Sequence, residues 1–410
     1  MKNNSHHKPE LLAPAGNWPA LQSAVANGAD SVYFGVRGLN MRASAGNFEA
    51  SELRKVMQLL RDHGKKGFLA LNTILLEHQT ALAGSILDEA ANAGVDAVIL
   101  WDMGALAMAQ ERGLTVHLST QASAANSQAV RFFQRAGVKR VVLARECTLE
   151  HIERLKQQLR QTGTACELEI FVHGAMCLAV SGRCFMSLYA HGQSANQGAC
   201  TQPCRREYEI HAKAGEEEFL VEEDHVLSPK DLCAIDFLDQ LIGTGVDSLK
   251  IEGRMRSPEY AATVTRVYRR GIDAVCSGQW EAGLRDELKA QLSSVYNRGF
   301  SSGFYFGEPD PDKSRRLEHT HEKIYVGEVR KYYAKISVAD VLLHNDGLRT
   351  GTDLLIFGKQ TPASTCTVEE LQQDHRVVNA AGRGQHVGIK IPFAVKKGDR
   401  VFLWRKKDPE

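Results

Sequence analysis

The sequence lacks the features that would place it at a membrane or in a secretory pathway. No apolar run approaches the ~18 residues that cross a bilayer. The opening segment, MKNNSHHKPE, has no apolar core of the kind found in secretory signals. With 50 basic and 49 acidic residues the net charge is only +1, so bulk charge argues neither for nor against a nucleic-acid partner. We therefore expect a cytoplasmic protein without a membrane partner.

Two motifs of hydrolytic enzymes are also missing. The sequence has no H-E-x-x-H, which would bind a catalytic zinc ion, and no G-x-S-x-G, which would present a nucleophilic serine. A cysteine–histidine pair is formally available, because His173 lies four residues before Cys177. A cysteine that is committed to a metal cluster, however, cannot also be a free nucleophile.

Cysteine is present but unevenly distributed. Cys177, Cys184, Cys200 and Cys204 form the pattern C-x6-C-x15-C-x3-C, and the other five of the nine cysteines are scattered. In a reducing compartment such a cluster favours a metal centre or catalysis over disulfides. Structural zinc sites usually use two tight cysteine pairs, whereas iron–sulfur ligands tolerate looser spacing. The spacing favours iron–sulfur slightly and leaves zinc open.

A short repeated sequence pattern, which we call the repeated phrase, marks the start of several predicted strands. GADSVYF, GVDAVIL, GVKRVVL and GVDSLKI each combine a glycine that can end a helix with an apolar run typical of a buried parallel strand. We count eight strands alternating with helices over residues 1–307, which predicts an α/β fold, a (β/α)8 TIM-like barrel, over a doubly wound open sheet. Residues 174–245, after strand seven, are an oversized insertion that carries the cysteines.

The composition changes near Gly307. Residues 308–323 are rich in proline and charge and have no apolar period, so we predict a linker there. Residues 324–410 contain short alternating runs separated by turns, which predicts a small C-terminal antiparallel β-barrel domain. Basic residues near the end of the chain are candidate phosphate contacts: Lys396, Lys397, Arg400, Arg405, Lys406 and Lys407.

Alternation along the strands predicts which polar side chains face the barrel interior. Lys250, Glu252 and Arg254 share one face of strand eight, and Glu169, Phe171 and His173 share one face of strand seven. Strand five brings His117, Ser119 and Gln121 together, and strands three and six end at Asn72 and Arg145. A buried lattice of ion pairs and a ligand site are both compatible with this pattern. For Lys250, Glu252 and Arg254 we favour a ligand site, because two cations around one carboxylate suit an anionic ligand.

The sequence resembles the peptidase U32, or collagenase-like, family. The resemblance rests on the segments EIFVHGAMC at 169–177, SGRC at 181–184, NQGAC at 196–200 and CR at 204–205. It is reinforced by ELLAPAG at 10–16, STQASAAN at 119–126 and KIEGR at 250–254. The resemblance implies that Cys177, Cys184, Cys200 and Cys204 bind a 4Fe-4S cluster.

The same resemblance implies an oxygen-independent RNA hydroxylase rather than a peptidase. Members of the family act in forming 5-hydroxyuridine at the tRNA wobble position, and prephenate is implicated as a co-substrate. The architecture is most similar to that tRNA branch. Hydroxylation of 23S rRNA cytidine, a non-catalytic iron–sulfur accessory role and a collagenase-like protease are the alternatives.

If the protein is a hydroxylase, we expect the candidate residues to have different roles. Arg145, Lys250 and Arg254 would clamp a small dicarboxylate such as prephenate. Asn72, Gln121 and His173 would orient it or move protons. The catalytic candidates are Arg145, His173, Lys250, Glu252 and Arg254. tRNA is the expected macromolecular partner, with its target base presented unstacked.

Overall fold

Eight parallel strands close into a barrel in the computed structural model, which describes residues 7–43, 45–208, 227–307, 318–345, 347–374 and 376–407. Seven of them, β1 to β7, pair in chain order, and the eighth, β9, pairs with both β1 and β7. Two short strands, β8 and β10, extend the sheet beyond β7. The strands are β1 (Glu10–Ala15), β2 (Ser31–Phe34), β3 (Lys66–Ala70), β4 (Ala97–Leu100), β5 (Val116–Leu118), β6 (Val138–Val142), β7 (Glu167–Ala175), β8 (Asp231–Cys233), β9 (Ser248–Ile251) and β10 (Phe300–Ser301). The predicted barrel is confirmed, and the open sheet is wrong.

Helices alternate with the barrel strands, and several begin at the caps that the sequence offers. Asn17, Asp102 and Asn126 each accept a hydrogen bond from a backbone N–H in the first turn of the helix that follows. The helices are α1 (Trp18–Ala26), α2 (Leu53–Asp62), α3 (Thr80–Ala93), α4 (Met103–Glu111), α5 (Ser127–Arg135), α6 (Leu149–Gln161), α7 (Met186–His191), α8 (Leu238–Gly243), α9 (Pro258–Cys276) and α10 (Ala282–Ser293). Within the described ranges, none is long and apolar enough to span a membrane.

The repeated phrase performs two structural tasks. Its glycine takes the left-handed conformation that ends the preceding helix, as Gly94 does with a φ of 68°. The aspartate that three of the four copies carry accepts a hydrogen bond from the backbone of the neighbouring strand. Asp96 Oδ2 lies 2.7 Å from Gly67 N, and Asp247 Oδ2 lies 2.7 Å from Leu168 N. The phrase therefore fixes both the end of a helix and the register of the next strand pair.

The C-terminal part of the chain forms antiparallel sheets, as predicted. An eight-stranded sheet has the order β15-β14-β20-β11-β12-β19-β16-β17, and β13 pairs with β18. The strands are β11 (His321–Tyr333), β12 (Val338–Leu343), β13 (Leu348–Arg349), β14 (Asp353–Phe357), β15 (Ser364–Thr367), β16 (Leu371–Gln373), β17 (Arg376–Val378), β18 (Ala380–Ala381), β19 (His386–Lys390) and β20 (Arg400–Lys406).

Helix α9 joins the two parts. One side of it carries Tyr260, Val264 and Tyr268 into the barrel core. Ala262 packs instead in an apolar cluster with Phe357 and Phe402 of the C-terminal sheets. Because both sides are covered by apolar contacts, the C-terminal domain is held against the barrel.

Some predicted boundaries differ from the structure. Strand β11 begins at His321, three residues before the predicted domain start, and most of the predicted linker lies outside the described residues. Residues 334–337 form the turn between β11 and β12, where Ser337 has a φ of 54°. Residues 209–226, a quarter of the predicted insertion, also lie outside the described part.

Candidate active site at the barrel mouth

A cavity of about 710 Å³ lies at the C-terminal ends of the barrel strands. Three parts of the chain line it: the barrel strand ends, the cysteine-bearing segment and the C-terminal domain. The lining includes Asn72, Arg145 and Lys250 from the barrel, Cys200 from the cysteine-bearing segment and Trp404 from the C-terminal domain. This is the end of a (β/α)8 barrel at which enzymes of this architecture carry their catalytic groups.

A closed ion-pair network fills the barrel beneath the cavity, and we call it the floor: Glu10, Arg140, Glu167, Glu169, Ser248 and Lys250. Glu169 lies 2.8 Å from Lys250 Nζ and 3.1 Å from Arg140 Nη1, and it accepts a hydrogen bond from Ser248. Burial alone would raise the pKa of Glu169, but Lys250 and Arg140 lower it to about 2. Glu169 and Lys250 therefore form a buried ion pair, and Lys250 also lines the cavity.

Above the floor the charges are not balanced, and we call this region the mouth: Arg42, Arg145, Glu252 and Arg254. Glu252 lies 3.4 Å from Arg42 Nη2. Arg254 is buried, and its Nη1 donates to Asn40 Oδ1 at 3.1 Å. Burial lowers the pKa of Arg254 to about 10, so it remains charged at neutral pH. Three guanidinium groups around one carboxylate leave a surplus of positive charge facing the cavity.

Arg145 lies over the ring of Phe171, with its guanidinium carbon 4.0 Å from the ring centroid. Its Nη1 donates to the carbonyl oxygen of Ala175 at 3.0 Å, and its buried Nε has no partner among the described residues. Burial lowers the pKa of this arginine. A buried guanidinium with an unused donor beside a cavity is suited to bind an anion.

An amide pair forms another part of the cavity wall. Asn72 Nδ2 donates to Gln121 Oε1 at 2.8 Å, and Gln121 Nε2 donates to the carbonyl oxygen of Asn72 at 3.0 Å. Ser119 adds a hydrogen bond to Gln121 Oε1 at 2.8 Å. These contacts hold both amides in one orientation, so the predicted grouping of Asn72 and Gln121 corresponds to one surface.

The four clustered cysteines are neighbours at the cavity. Cys177, Cys200 and Cys204 line it, and all four thiols are free of disulfides. Burial raises the pKa of the Cys204 thiol. Arg205 opposes that rise, and Cys177, Cys200 and Cys184 add to it. Within the part of the chain that the structure describes, no three His, Cys, Asp or Glu side chains converge tightly enough to hold a single metal ion.

The predicted interior position of His173 is wrong. The pairing register between β7 and β9 shifts between Phe171 and His173, so alternation fails after Phe171. The His173 ring packs against Tyr260, Tyr268 and Phe300, and its Nδ1 lies 3.3 Å from the Tyr268 hydroxyl. Burial lowers its pKa to about 3, so the ring is neutral. The formally available pair with Cys177 is not assembled.

Sequence reasoning missed several cavity residues. Tyr33 on β2 lines the cavity, and Lys250 Nζ lies 4.5 Å from its ring centroid. Strand alternation could have found Tyr33. Arg42 lies in an irregular segment after β2, where no periodicity points to it.

Comparisons with known proteins agree with the resemblance. The profile of peptidase family U32 matches residues 16–315. A protein named collagenase from Porphyromonas gingivalis is 38% identical over 409 residues, which cover 97% of this chain and 98% of that protein. The tRNA hydroxylation protein P1 of Bacillus subtilis is 34% identical over 385 residues, which cover 91% of this chain and 89% of that protein. The 23S rRNA 5-hydroxycytidine synthase of Escherichia coli is 31% identical over 353 residues, which cover 84% of this chain and 52% of that protein.

Proposed function

The chain belongs to peptidase family U32, and on that premise we propose that it is an RNA hydroxylase whose target is the wobble uridine of tRNA. The product would be 5-hydroxyuridine. One observation carries the proposal: a single cavity brings a surplus of guanidinium groups next to three thiols of the cysteine cluster. A site for a small anion and a site for a metal cluster then share one space.

The family relatives support RNA as the substrate class. The Bacillus subtilis tRNA hydroxylation protein matches over most of both chains. The ribosomal synthase matches over only 52% of its own length. This difference in architecture favours tRNA over ribosomal RNA as the substrate.

Cys177, Cys184, Cys200 and Cys204 would hold a 4Fe-4S cluster. The four thiols lie close enough for Cys177, Cys184 and Cys200 to raise the pKa of Cys204. Metal atoms and bridging sulfides keep the ligands of a cluster farther apart than those of one zinc ion. When bound, such a cluster supplies one-electron chemistry at the barrel mouth.

The protein's own groups bind and orient the co-substrate. Arg145 and Arg254 would each bind a carboxylate of prephenate, the dicarboxylate that we propose as co-substrate. Lys250 contributes less than the sequence suggests, because Glu169 already pairs with its ammonium group at 2.8 Å. Glu252 holds Arg42 near the cavity. Asn72 and Gln121 present fixed amide groups to the ligand.

A collagenase-like protease is the competing function, because a relative bears that name. Its chemistry would require a histidine beside a cysteine nucleophile. His173, the histidine nearest in sequence to Cys177, is instead buried against three aromatic rings. The pair of His173 and Cys177 therefore cannot carry that chemistry, and this disfavours the protease.

Complementation tests the proposed function. The chain should be expressed in a bacterium that lacks its own tRNA hydroxylation proteins, and the tRNA nucleosides should be measured by mass spectrometry. We expect derivatives of 5-hydroxyuridine to return. Unmodified wobble uridine in cells that contain the folded protein would contradict the proposal.

A further inference from the structure

Two flat ring pairs lie at the rim of the cavity, outside the charged mouth, and we call them the aromatic rim: Tyr296, His319, His321 and Trp404. Tyr296 and His319 are stacked, with ring centroids 5.7 Å apart and planes 25° apart. His321 and Trp404 are stacked at 5.3 Å and 16°. All four residues line the cavity. The rim combines the end of the barrel domain with two strands of the C-terminal domain.

Cations lie near both ring pairs of the aromatic rim, and the acidic Glu322 that also lines the cavity is paired with Arg405. The guanidinium of Arg256 lies 4.1 Å from the Tyr296 ring centroid, and that of Arg298 lies 5.2 Å from it. Both arginines pair with the buried carboxylate of Asp231, at 3.2 and 3.3 Å. One carboxylate between two guanidinium groups leaves net positive charge beside the rings. Lys406 follows Trp404 closely at the end of β20 and adds to that charge.

The two histidines have the properties of neutral stacking surfaces. Burial lowers the pKa of His319, and Lys407 lowers it further. Burial and Lys406 act in the same way on the pKa of His321. His319 also has a buried Nδ1 that lacks a hydrogen-bond partner among the described residues. Uncharged flat rings with an unused polar atom and cations nearby are typical of surfaces that bind unpaired nucleotides.

We propose that the aromatic rim binds a nucleotide that flanks the modified base, by stacking an unpaired base on the Trp404–His321 pair while Arg256 and Arg298 attract its phosphates. This inference rests on the proposed function and gives the C-terminal domain a role in it. The target base must enter the cavity unstacked, and its neighbour then lies at the entrance. A base in a duplex is already stacked on both faces and could not use the rim.

Binding of a fluorescently labelled hairpin RNA with an unpaired loop tests the proposal, with anisotropy as the readout. Stacking on an aromatic side chain contributes strongly to the affinity for single strands, so Trp404→Ala should raise the Kd about 10-fold. Trp404→Phe keeps a ring and should restore most of the affinity. His321→Ala should also weaken binding, which gives a second test because Trp404 packs partly against the core.

Tyr333→Ala is the matched control. Tyr333 lies on the same strand, β11, as His321 and is 43% exposed. It lies twelve residues further along, or about 40 Å at the rise of a β-strand. We expect this variant to bind the hairpin like the wild type, and a fully paired RNA to be insensitive to Trp404→Ala. Equal hairpin affinity in the wild type, Trp404→Ala and His321→Ala would overturn the inference, as would an equal loss for paired RNA.

Failure of this inference can be told apart from failure of the proposed function. If the wild-type chain leaves tRNA unmodified and binds no hairpin, the proposed function fails and the inference fails with it. If the wild type modifies tRNA and binds the hairpin but the rim variants do the same, only the inference is overturned.

Discussion

The floor and the mouth of the barrel are both built from arginine and glutamate side chains, but the charges are fully paired only on the floor. On the floor, Glu169 is satisfied by Lys250, Arg140 and Ser248. At the mouth, Arg145 keeps an unused Nε, and three arginines share Glu252. A buried charge is stable when its partners are complete, and an incomplete set is a site for a ligand. Charged residues deep in the barrel therefore stabilise the fold, whereas those at the C-terminal strand ends are available to a ligand.

The largest effect that we predict lies in the cysteine cluster beside the mouth. Cys200→Ala should remove the broad visible absorbance of a bound iron–sulfur cluster and abolish RNA hydroxylation, because a cluster ligand is lost. The barrel core should persist, so the far-ultraviolet circular dichroism should resemble that of the wild type.

Cys276→Ala is the control for that substitution. Cys276 is half-buried on α9, outside the cysteine cluster, and its replacement should keep both colour and activity. A brown, active Cys200→Ala protein would refute the ligand assignment.

The next effect lies on the floor. Glu169→Gln leaves Lys250 and Arg140 buried without their shared carboxylate, so the free energy of unfolding should fall by about 3–5 kcal/mol. Urea denaturation measures it. Glu150→Gln, which removes an exposed partner of Arg154, should cause no measurable loss. Equal stabilities of the two variants would contradict the claim that the ion pairs of the floor stabilise the fold.

The smallest effect, when it is measured over one pH unit, is the pH dependence contributed by His117, which is buried next to Arg140 of the floor. Burial, and then Arg140, lower the pKa of His117 to about 3. The unfolded chain binds a proton at this histidine below about pH 6.5, whereas the folded chain stays neutral there. Stability from this group is therefore present above pH 6.5 and falls by about 1.4 kcal/mol per unit below it, down to about pH 3.

Unfolding by urea at pH 6.5 and 5.5 checks this slope. His117→Phe should remove the contribution of His117 and leave that of His173, whose pKa is lowered to about 3 in the same way. Identical slopes in the wild type and His117→Phe would contradict the assignment.

The sequence predicts the barrel and the position of the cysteines because both follow from local patterns. The glycine–aspartate phrase sets helix ends and strand starts, and strand alternation correctly places Glu169 and Lys250 inside. Alternation fails at His173, where an irregular register between β7 and β9 turns the ring away. It cannot assemble the aromatic rim, because Tyr296, His319 and Trp404 come from three distant segments.

Calorimetric titration of the purified protein with prephenate tests most directly whether the mouth is a ligand site. We expect one molecule to bind per chain, because Arg145 and Arg254 offer surplus positive charge. Arg254→Ala should weaken binding at least about 10-fold, the size expected from losing one charge-assisted contact. Circular dichroism should confirm that this variant is folded. Equal affinity in the wild type and a folded Arg254→Ala, or no binding to either, would contradict the account.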